Sequence, residues 1–171
     1  MKLLISKIFF ALLFIATSKF SYGQGYLLSN EKIIFSFSTE DNKKMVLARD
    51  SVNKYIIYRF GGKDKIEFEF PDKTKDSWNK FTYSFYLRGG GKPNEGMDLN
   101  YVYFMSENVK YIIYETYYSR DEKSQCGVKI LNTTTNKTHD IGGIIKTKEG
   151  DLTDFRSNEL LKITDEIFTE D

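Results

Sequence analysis

The residues that could do chemistry are most concentrated in one glycine-rich stretch, residues 88–96 (RGGGKPNEG). Glycines beside a lysine are found in phosphate-binding loops. Those loops need the pattern G-x-x-x-x-G-K-[ST] leading into a helix whose N–H groups meet the phosphate. Here Lys92 is followed by Pro93, and a strand pattern then resumes. We therefore expect no nucleotide phosphate at this loop.

Two carboxylates, Glu95 and Asp98, lie in or beside the same stretch. A pair of carboxylates can cleave a glycosidic bond, with one serving as acid and the other as base or nucleophile. The local pattern favours a solvated Glu95 and an Asp98 that caps a turn. A small hydrolase using Glu95 or Asp98 is therefore the third of three functional hypotheses.

Metal and nucleophile chemistry has few candidate residues, since His139 and Cys126 are the sole histidine and the sole cysteine. A zinc site of the usual nitrogen and sulfur ligands cannot be built from this pair. No G-x-S-x-G motif accompanies His139, and no calcium-loop spacing occurs. We expect no metal and no cofactor, an exposed His139, and a Cys126 that is buried as a small apolar residue. With one cysteine, an intrachain disulfide is impossible.

The N-terminus has the layout of a secretory signal peptide over residues 1–23. Lys2 and Lys7 precede an apolar run at residues 8–16 (IFFALLFIA), and Ser21 and Gly23 are the small residues of a cleavage site. The run is about half the roughly 20 residues of a spanning helix. We expect cleavage before Gln24, a periplasmic or secreted chain, and no membrane span after cleavage.

Charge excludes a nucleic-acid partner. The 25 Lys and Arg fall to 22 once the three lysines of residues 1–23 are removed, against 24 Asp and Glu. This balance leaves no basic field for nucleic acid or an anionic membrane surface.

Apolar residues alternate with polar ones along most of residues 24–171, which predicts half-buried antiparallel strands. Phe81, Tyr83 and Phe85, for example, alternate with Thr82 and Ser84. Residues 160–168 have apolar positions near helical spacing instead. The expected fold is a single mainly-β domain over residues 24–171. It would be an antiparallel sandwich or squat barrel of about eight strands, with a short C-terminal helix within residues 155–168.

Tyrosines are the main candidates for a binding surface, since eight of the 12 fall between residues 83 and 118. One core face cannot bury all of them, so some must line the other face or a strand end. Tyrosine is a favoured anchor in protein interfaces, and sugar-stacking sites use the same side chain. The candidate binding residues are those of the glycine-rich loop and of the neighbouring strands, namely Arg88, Lys92, Glu95, Tyr86, Tyr101 and Tyr103. A second packing face is the alternative role for the tyrosines.

The chain resembles small exported bacterial β-proteins of unknown function. The resemblance rests on the signal peptide, residues 35–47 (FSFSTEDNKKMVL), residues 55–62 (YIIYRFGG) and the aromatic strands around Trp78 and residues 111–118. More loosely, it is similar to periplasmic lysozyme inhibitors, which implies a compact antiparallel barrel. Many of those inhibitors carry a disulfide that this chain lacks, and no inhibitory loop signature maps onto it. The resemblance therefore assigns no site residues.

These observations predict an exported, non-enzymatic binding module, such as an inhibitor or immunity-type protein that binds a cell-wall hydrolase. Arg88 and Lys92 would then project cations from the loop toward the carboxylates of the partner. A carbohydrate-binding or adhesive module that uses the same tyrosines is the alternative. The glycine-rich loop itself could be functional or only a connector.

Overall fold

The structure is a computed structural model that describes residues 25–168; the predicted signal peptide lies outside the described residues. Within them, no helix is long and apolar enough to cross a membrane. The regular elements are eleven strands and short 3₁₀ helices. The strands are β1 (Glu31–Ser38), β2 (Lys44–Asp50), β3 (Ile56–Gly62), β4 (Lys65–Phe70), β5 (Phe81–Arg88), β6 (Met97–Ser106), β7 (Val109–Tyr118), β8 (Lys123–Asn132), β9 (Lys137–Gly142), β10 (Glu149–Gly150) and β11 (Lys162–Thr164).

The strands form two sheets, so the predicted mainly-β class is confirmed. One sheet has five strands in the order β10-β1-β2-β3-β4, and the other has six in the order β11-β5-β6-β7-β8-β9. Every pairing is antiparallel except that of β11 with β5. The sheets do not close into a barrel, and the described residues hold eleven strands against the eight or so expected; two of these, β10 and β11, are too short to show alternation.

The core lies between the two sheets and is built from aromatic rings. Phe70 stacks on Phe104 with ring centroids 4.5 Å apart, and Phe104 stacks on Tyr111 at 4.9 Å. Such stacked pairs add about 0.5–1.5 kcal/mol each beyond area burial. Alternation along each strand delivers these rings to one side, because successive side chains of a strand point to opposite faces. The buried thiol of Cys126 belongs to the same cluster, as predicted.

A buried ion pair connects the start of β1 to the outer side of the five-stranded sheet. Arg59 donates to both carboxylate oxygens of Glu31 at 2.6 and 2.8 Å, and to Glu69 at 2.6 Å. It also donates to the carbonyl oxygen of Tyr26, while the Tyr55 hydroxyl donates to Glu31. The fully buried guanidinium is therefore bound by the segment that precedes and begins β1 and by Glu69 of β4.

The predicted C-terminal helix is not found. Leu152–Arg156 is a 3₁₀ helix whose Leu152 and Phe155 enter the core, and Lys162–Thr164 is a strand beside β5. Of the apolar residues that suggested a helix, Leu161 is buried but Ile163 and Ile167 are 43% and 44% exposed. These apolar residues therefore do not form one buried face of a helix. The free edge of β5 offers this segment a sheet partner instead.

Candidate functional site

The glycine-rich loop joins β5 to β6 as an ordered turn that is hydrogen-bonded within itself. Gly96 donates to the carbonyl oxygen of Gly91 at 2.9 Å, and the Asn94 amide donates to the carbonyl of Gly89 at 2.8 Å. Gly90 has a φ of 92°, and a Cβ there would come within 2.8 Å of Asn94. Glycine is therefore required where the loop folds over its asparagine.

Arg88 does not project from this loop, which corrects the role predicted for it. Its Nε and Nη2 atoms donate to the carbonyl oxygen of Glu95 at 2.9 and 2.7 Å, so the guanidinium closes the base of the loop. The Glu95 carboxylate lies 3.8 Å from the same guanidinium. Arg88 thus shapes the loop and is not an outward-facing cation.

A second loop, between β7 and β8, is fastened to the first. The Ser119 amide donates to the carbonyl of Gly96 at 2.8 Å, and Lys92 pairs with Glu122 at 2.8 Å. Arg120 lies 3.5 Å from Glu95 and is 74% exposed along its side chain. We call residues 88–96 and 119–122 together the tip. Its most outward cation is Arg120, a residue that the sequence did not single out.

Beneath the tip, one row of the six-stranded sheet carries exposed apolar residues on the core-facing side. Strand register places Leu87 opposite Asp98, and Asp98 opposite Tyr117. Leu87 is 58% exposed and Tyr117 is 41% exposed. These side chains point the same way as the core residues Tyr83 and Phe85, so the other sheet does not cover this end. We call Leu87 and Tyr117 the apolar rim.

A cluster of hydrogen-bonded polar side chains lies between the apolar rim and the core. The Tyr83 hydroxyl donates to Asn100 Oδ1 at 2.6 Å, and Arg156 Nη2 donates to the same oxygen at 2.7 Å. Arg156 also pairs with Asp98, which accepts from the Asn100 amide at 2.8 Å. Burial raises the pKa of Tyr83 to about 12, against the opposing effect of Arg156. Its hydroxyl therefore stays protonated and acts as a donor near neutral pH.

A cavity of about 270 Å³ opens beside this cluster. On one wall Glu115 of β7 pairs with Lys148 and accepts from the backbone amide of Leu152 at 2.9 Å. The other lining residues give the wall a mixed polar and apolar character; they are Asp98, Asn100, Thr116, Tyr117, Ser124, Gln125, Ile145, Asp151 and Thr153. The cavity therefore combines carboxylates, an ammonium and neutral hydrogen-bonding groups with the exposed ring of Tyr117 at its rim.

The structure separates the tyrosines that the sequence grouped with the loop. Tyr86, Tyr101 and Tyr103 all lie on the outer side of the six-stranded sheet, opposite to the apolar rim. Tyr86 is partly exposed near the tip, but Tyr101 is only 2% exposed. Tyr101 and Tyr103 contact Phe168 of the C-terminal tail. The prediction that some tyrosines line a second face is confirmed, whereas Tyr101 is not part of the exposed surface.

The two candidate carboxylates also fall in different places. Glu95 is in the exposed tip, and Asp98 is in the polar cluster below it. Within residues 25–168, no group of three or more His, Cys, Asp or Glu side chains could hold a metal ion. His139 is exposed on β9 and lines an open cleft of about 650 Å³ with Phe60 and Lys43.

Sequence reasoning missed Leu87, Tyr117, Arg120 and Arg156 as parts of one site. A local signal existed for Leu87, because it continues the alternation of Phe81, Tyr83 and Phe85, whereas Tyr117 lies in a run with aromatic residues on both sides of the strand. Nothing in the sequence placed Arg156 beside Asp98, since 58 residues separate them.

Comparison with known proteins adds no assignment: no protein-family model matches this chain, and no curated protein or solved structure matches it. The geometry itself defines the class, a mainly antiparallel two-sheet β-protein with a hydrogen-bonded tip above a cavity of mixed polar and apolar lining. The similarity to lysozyme inhibitors stays a prediction.

Proposed function

We propose that this chain is an exported, non-enzymatic binding module of the periplasm or extracellular space that docks a protein partner through its tip and apolar rim. The observation that carries the proposal is the row formed by Leu87 and Tyr117, 58% and 41% exposed on the core-facing side of the sheet. Large apolar side chains at the open end of a sheet are suited to a partner that covers them.

The tip supports this proposal because it is held in one shape before binding. A backbone hydrogen bond from Ser119 to Gly96 and the Lys92–Glu122 ion pair join its two loops, so little of the backbone needs to be ordered when a partner arrives. Preorganisation of this kind strengthens binding by lowering the entropy lost on association. Tyrosine and arginine are enriched among the residues that dominate interface energies, and Tyr117 and Arg120 are the corresponding residues here.

The partner that best suits this surface is a protein with acidic groups in a cleft, such as a cell-wall hydrolase. Arg120 takes over the role first given to Arg88, because its guanidinium is exposed and its pairing with Glu95 at 3.5 Å is weak. Lys92 is exposed as well, although Glu122 neutralises it. Many cell-wall hydrolases act through carboxylates, to which an arginine can bind with two hydrogen bonds.

A binding role fits Asp98 better than catalysis does. Asp98 Oδ1 is already engaged by the Arg156 guanidinium and by the Asn100 amide, so Asp98 helps to hold the polar cluster together. Glu95 lies in the exposed tip, where its carboxylate faces Arg88 and Arg120.

The experiment is capture from envelope extract by the immobilised chain that begins at Gln24, followed by identification of the captured protein and titration of the purified pair. Tyr117→Ala and Arg120→Ala should each weaken the affinity at least about tenfold, as interface anchors do. Met105→Ala is the matched control, since Met105 is similarly exposed but lies near the opposite end of β6. Melting temperatures should be nearly unchanged in all three variants. Equal affinity for wild type and both tip variants would refute the proposal.

A carbohydrate ligand is the second candidate, favoured by the cavity beside Tyr117. Sugars bind to planar polar side chains that offer several hydrogen bonds next to an aromatic ring, and Asp98, Asn100 and Glu115 adjoin Tyr117 in this way. Titration with soluble cell-wall oligosaccharides, followed by NMR, tests this candidate. Shifts centred on Ser124 and Tyr117 that Tyr117→Ala abolishes would support it, and unchanged spectra at millimolar sugar would exclude it.

A further inference from the structure

The C-terminal tail binds the six-stranded sheet in the manner of an added peptide. Lys162–Thr164 pairs in parallel with Thr82, Tyr83 and Ser84 at the edge of β5. Addition of an extended peptide to a free sheet edge is a recurrent mode of peptide recognition, in which the backbone provides affinity and side-chain pockets provide specificity. The tail thus supplies an eleventh strand that no local pattern in the sequence requires.

Beyond this strand, the tail places an aromatic side chain in a groove. The Phe168 ring packs edge-on against both Tyr101 and Tyr103, with centroids 5.2 Å away in each case. The Tyr101 hydroxyl donates to the carbonyl oxygen of Phe168 at 3.0 Å, and the Tyr103 hydroxyl is 3.0 Å from Thr164 Oγ1. We call the surface formed by Tyr101, Tyr103 and Lys110 the tyrosine groove.

Charge complements this aromatic contact. Lys110 Nζ lies 4.4 Å from the ring centre of Tyr103 and 4.7 Å from that of Phe168, and it pairs with Glu166. A cation between two rings and beside a carboxylate selects for a segment that carries both an aromatic and an acidic residue. The groove therefore favours a segment by its charge and its aromatic side chain as well as by its shape.

The tail is attached less firmly than the strands of the core. Ile163 and Ile167 are nearly half exposed, and the main buried anchor before β11 is Leu161. Segments held by few buried contacts open locally at much lower free energy than a core strand. Glu159, which precedes this anchor, has a left-handed φ of 54°, a conformation that non-glycine residues disfavour. The segment around Glu159 is thus where the tail would separate from the rest of the domain.

We propose that the tyrosine groove and the adjoining edge of β5 form a second docking site, one that the tail occupies in this structure and vacates for an extended segment of another protein. The incoming segment carries a phenylalanine two residues after a glutamate or aspartate, as the tail itself does. The site is separate from the tip and does not depend on the function proposed for it. The tail then acts as a tethered competitor, which limits binding to partners that match its chemistry.

A peptide of residues 162–168 (KITDEIF), labelled with fluorescein, is the probe, and fluorescence anisotropy is the measurement. A chain that ends at Leu161 should bind this peptide, and the full chain should bind it at least about tenfold more weakly because the tethered tail competes at about millimolar effective concentration. A peptide with Phe168→Ala should not bind either chain. No binding to the folded shortened chain, or equal binding to both chains, would overturn the proposal.

The full chain with Phe168→Ala keeps the test valid if the shortened chain fails to fold. It should admit the peptide, whereas Ile167→Ala should not, since Ile167 is exposed and adjacent to Phe168. Equal behaviour of these two variants would also overturn the proposal. A concentration-dependent dimer of the wild-type chain that Phe168→Ala abolishes would overturn the assignment to another protein and would place the tail of a second copy in the groove.

Discussion

Replacing Glu31 by glutamine should destabilise the fold strongly although the side chains have nearly the same shape. The Glu31 and Arg59 side chains are 0% and 2% exposed, and two hydrogen bonds of 2.6 and 2.8 Å join them. Glutamine offers one acceptor oxygen in place of two, and it removes one of the two carboxylates that neutralise the buried guanidinium. The pair also connects the start of β1 to β3, so its loss affects two neighbouring parts of the sheet.

The expected loss in unfolding free energy is about 3 kcal/mol. Removing one member of a buried ion pair typically costs about 3–5 kcal/mol. The lower end applies here because Glu69, which is partly exposed, keeps its 2.6 Å contact with Arg59. Glu67→Gln is the matched control, because Glu67 pairs with Lys43 at the surface and such pairs contribute about 0–1 kcal/mol.

Urea unfolding at pH 7 provides the measurement, and a pH series adds a second check. Burial opposes ionisation of Glu31, but hydrogen bonds from Arg59, Leu28 and Tyr55 outweigh it and hold its pKa below the usual range. A lowered folded-state pKa gives stability that is complete above the unfolded value of about 4.3 and lost as the pH falls through the folded value. The difference in unfolding free energy between wild type and Glu31→Gln should therefore become smaller below about pH 4. Equal losses for Glu31→Gln and Glu67→Gln, or a gap that is independent of pH, would refute this reasoning.

Two further outcomes follow from the core. Burial, with a smaller contribution from Glu115, raises the pKa of the Cys126 thiol to about 11, so a thiol reagent at pH 8 should label the chain only after denaturation. Gly143→Ala should lower the unfolding free energy by about 1–3 kcal/mol, because a Cβ at that position would come within 2.5 Å of Phe37 and 2.7 Å of the Cys126 sulfur. Thermal unfolding followed by circular dichroism measures this loss. Gly142→Ala is the control, since no atom lies within 4 Å of a Cβ added there.

Much of the fold could be predicted from local pattern. The strands from β1 to β7 coincide with alternating or aromatic runs, β8 and β9 flank the hairpin tip at residues 132–136, and Cys126 is buried as expected of a lone, small apolar residue. Alternation is a short-range property, since successive side chains of a strand point to opposite faces of the sheet. The tail misled the same reasoning, because its apolar spacing suits a helix while the edge of β5 provides a sheet partner.

The candidate site could be predicted only in part. Residues 88–96 were recognisable as a loop from their glycines, and exposure of Lys92 and Glu95 agrees with that reading. The sequence could not show that Arg88 would bind the carbonyl of Glu95, leaving Arg120 as the outward cation. Arginine at a strand end can turn toward its own loop or toward solvent, and only the closed shape of the loop decides between them.

The sequence by itself determined that this chain is a mainly-β protein with a core of aromatic rings and a glycine-dependent loop, because side-chain parity and glycine's backbone freedom are properties of neighbouring residues. Only the tertiary structure placed Leu87 and Tyr117 in one row, on either side of Asp98, and Phe168 beside Tyr101 and Tyr103. These placements depend on strand register and on which sheet edge stays free. Both are set by pairing between segments distant in the chain, which no local pattern encodes.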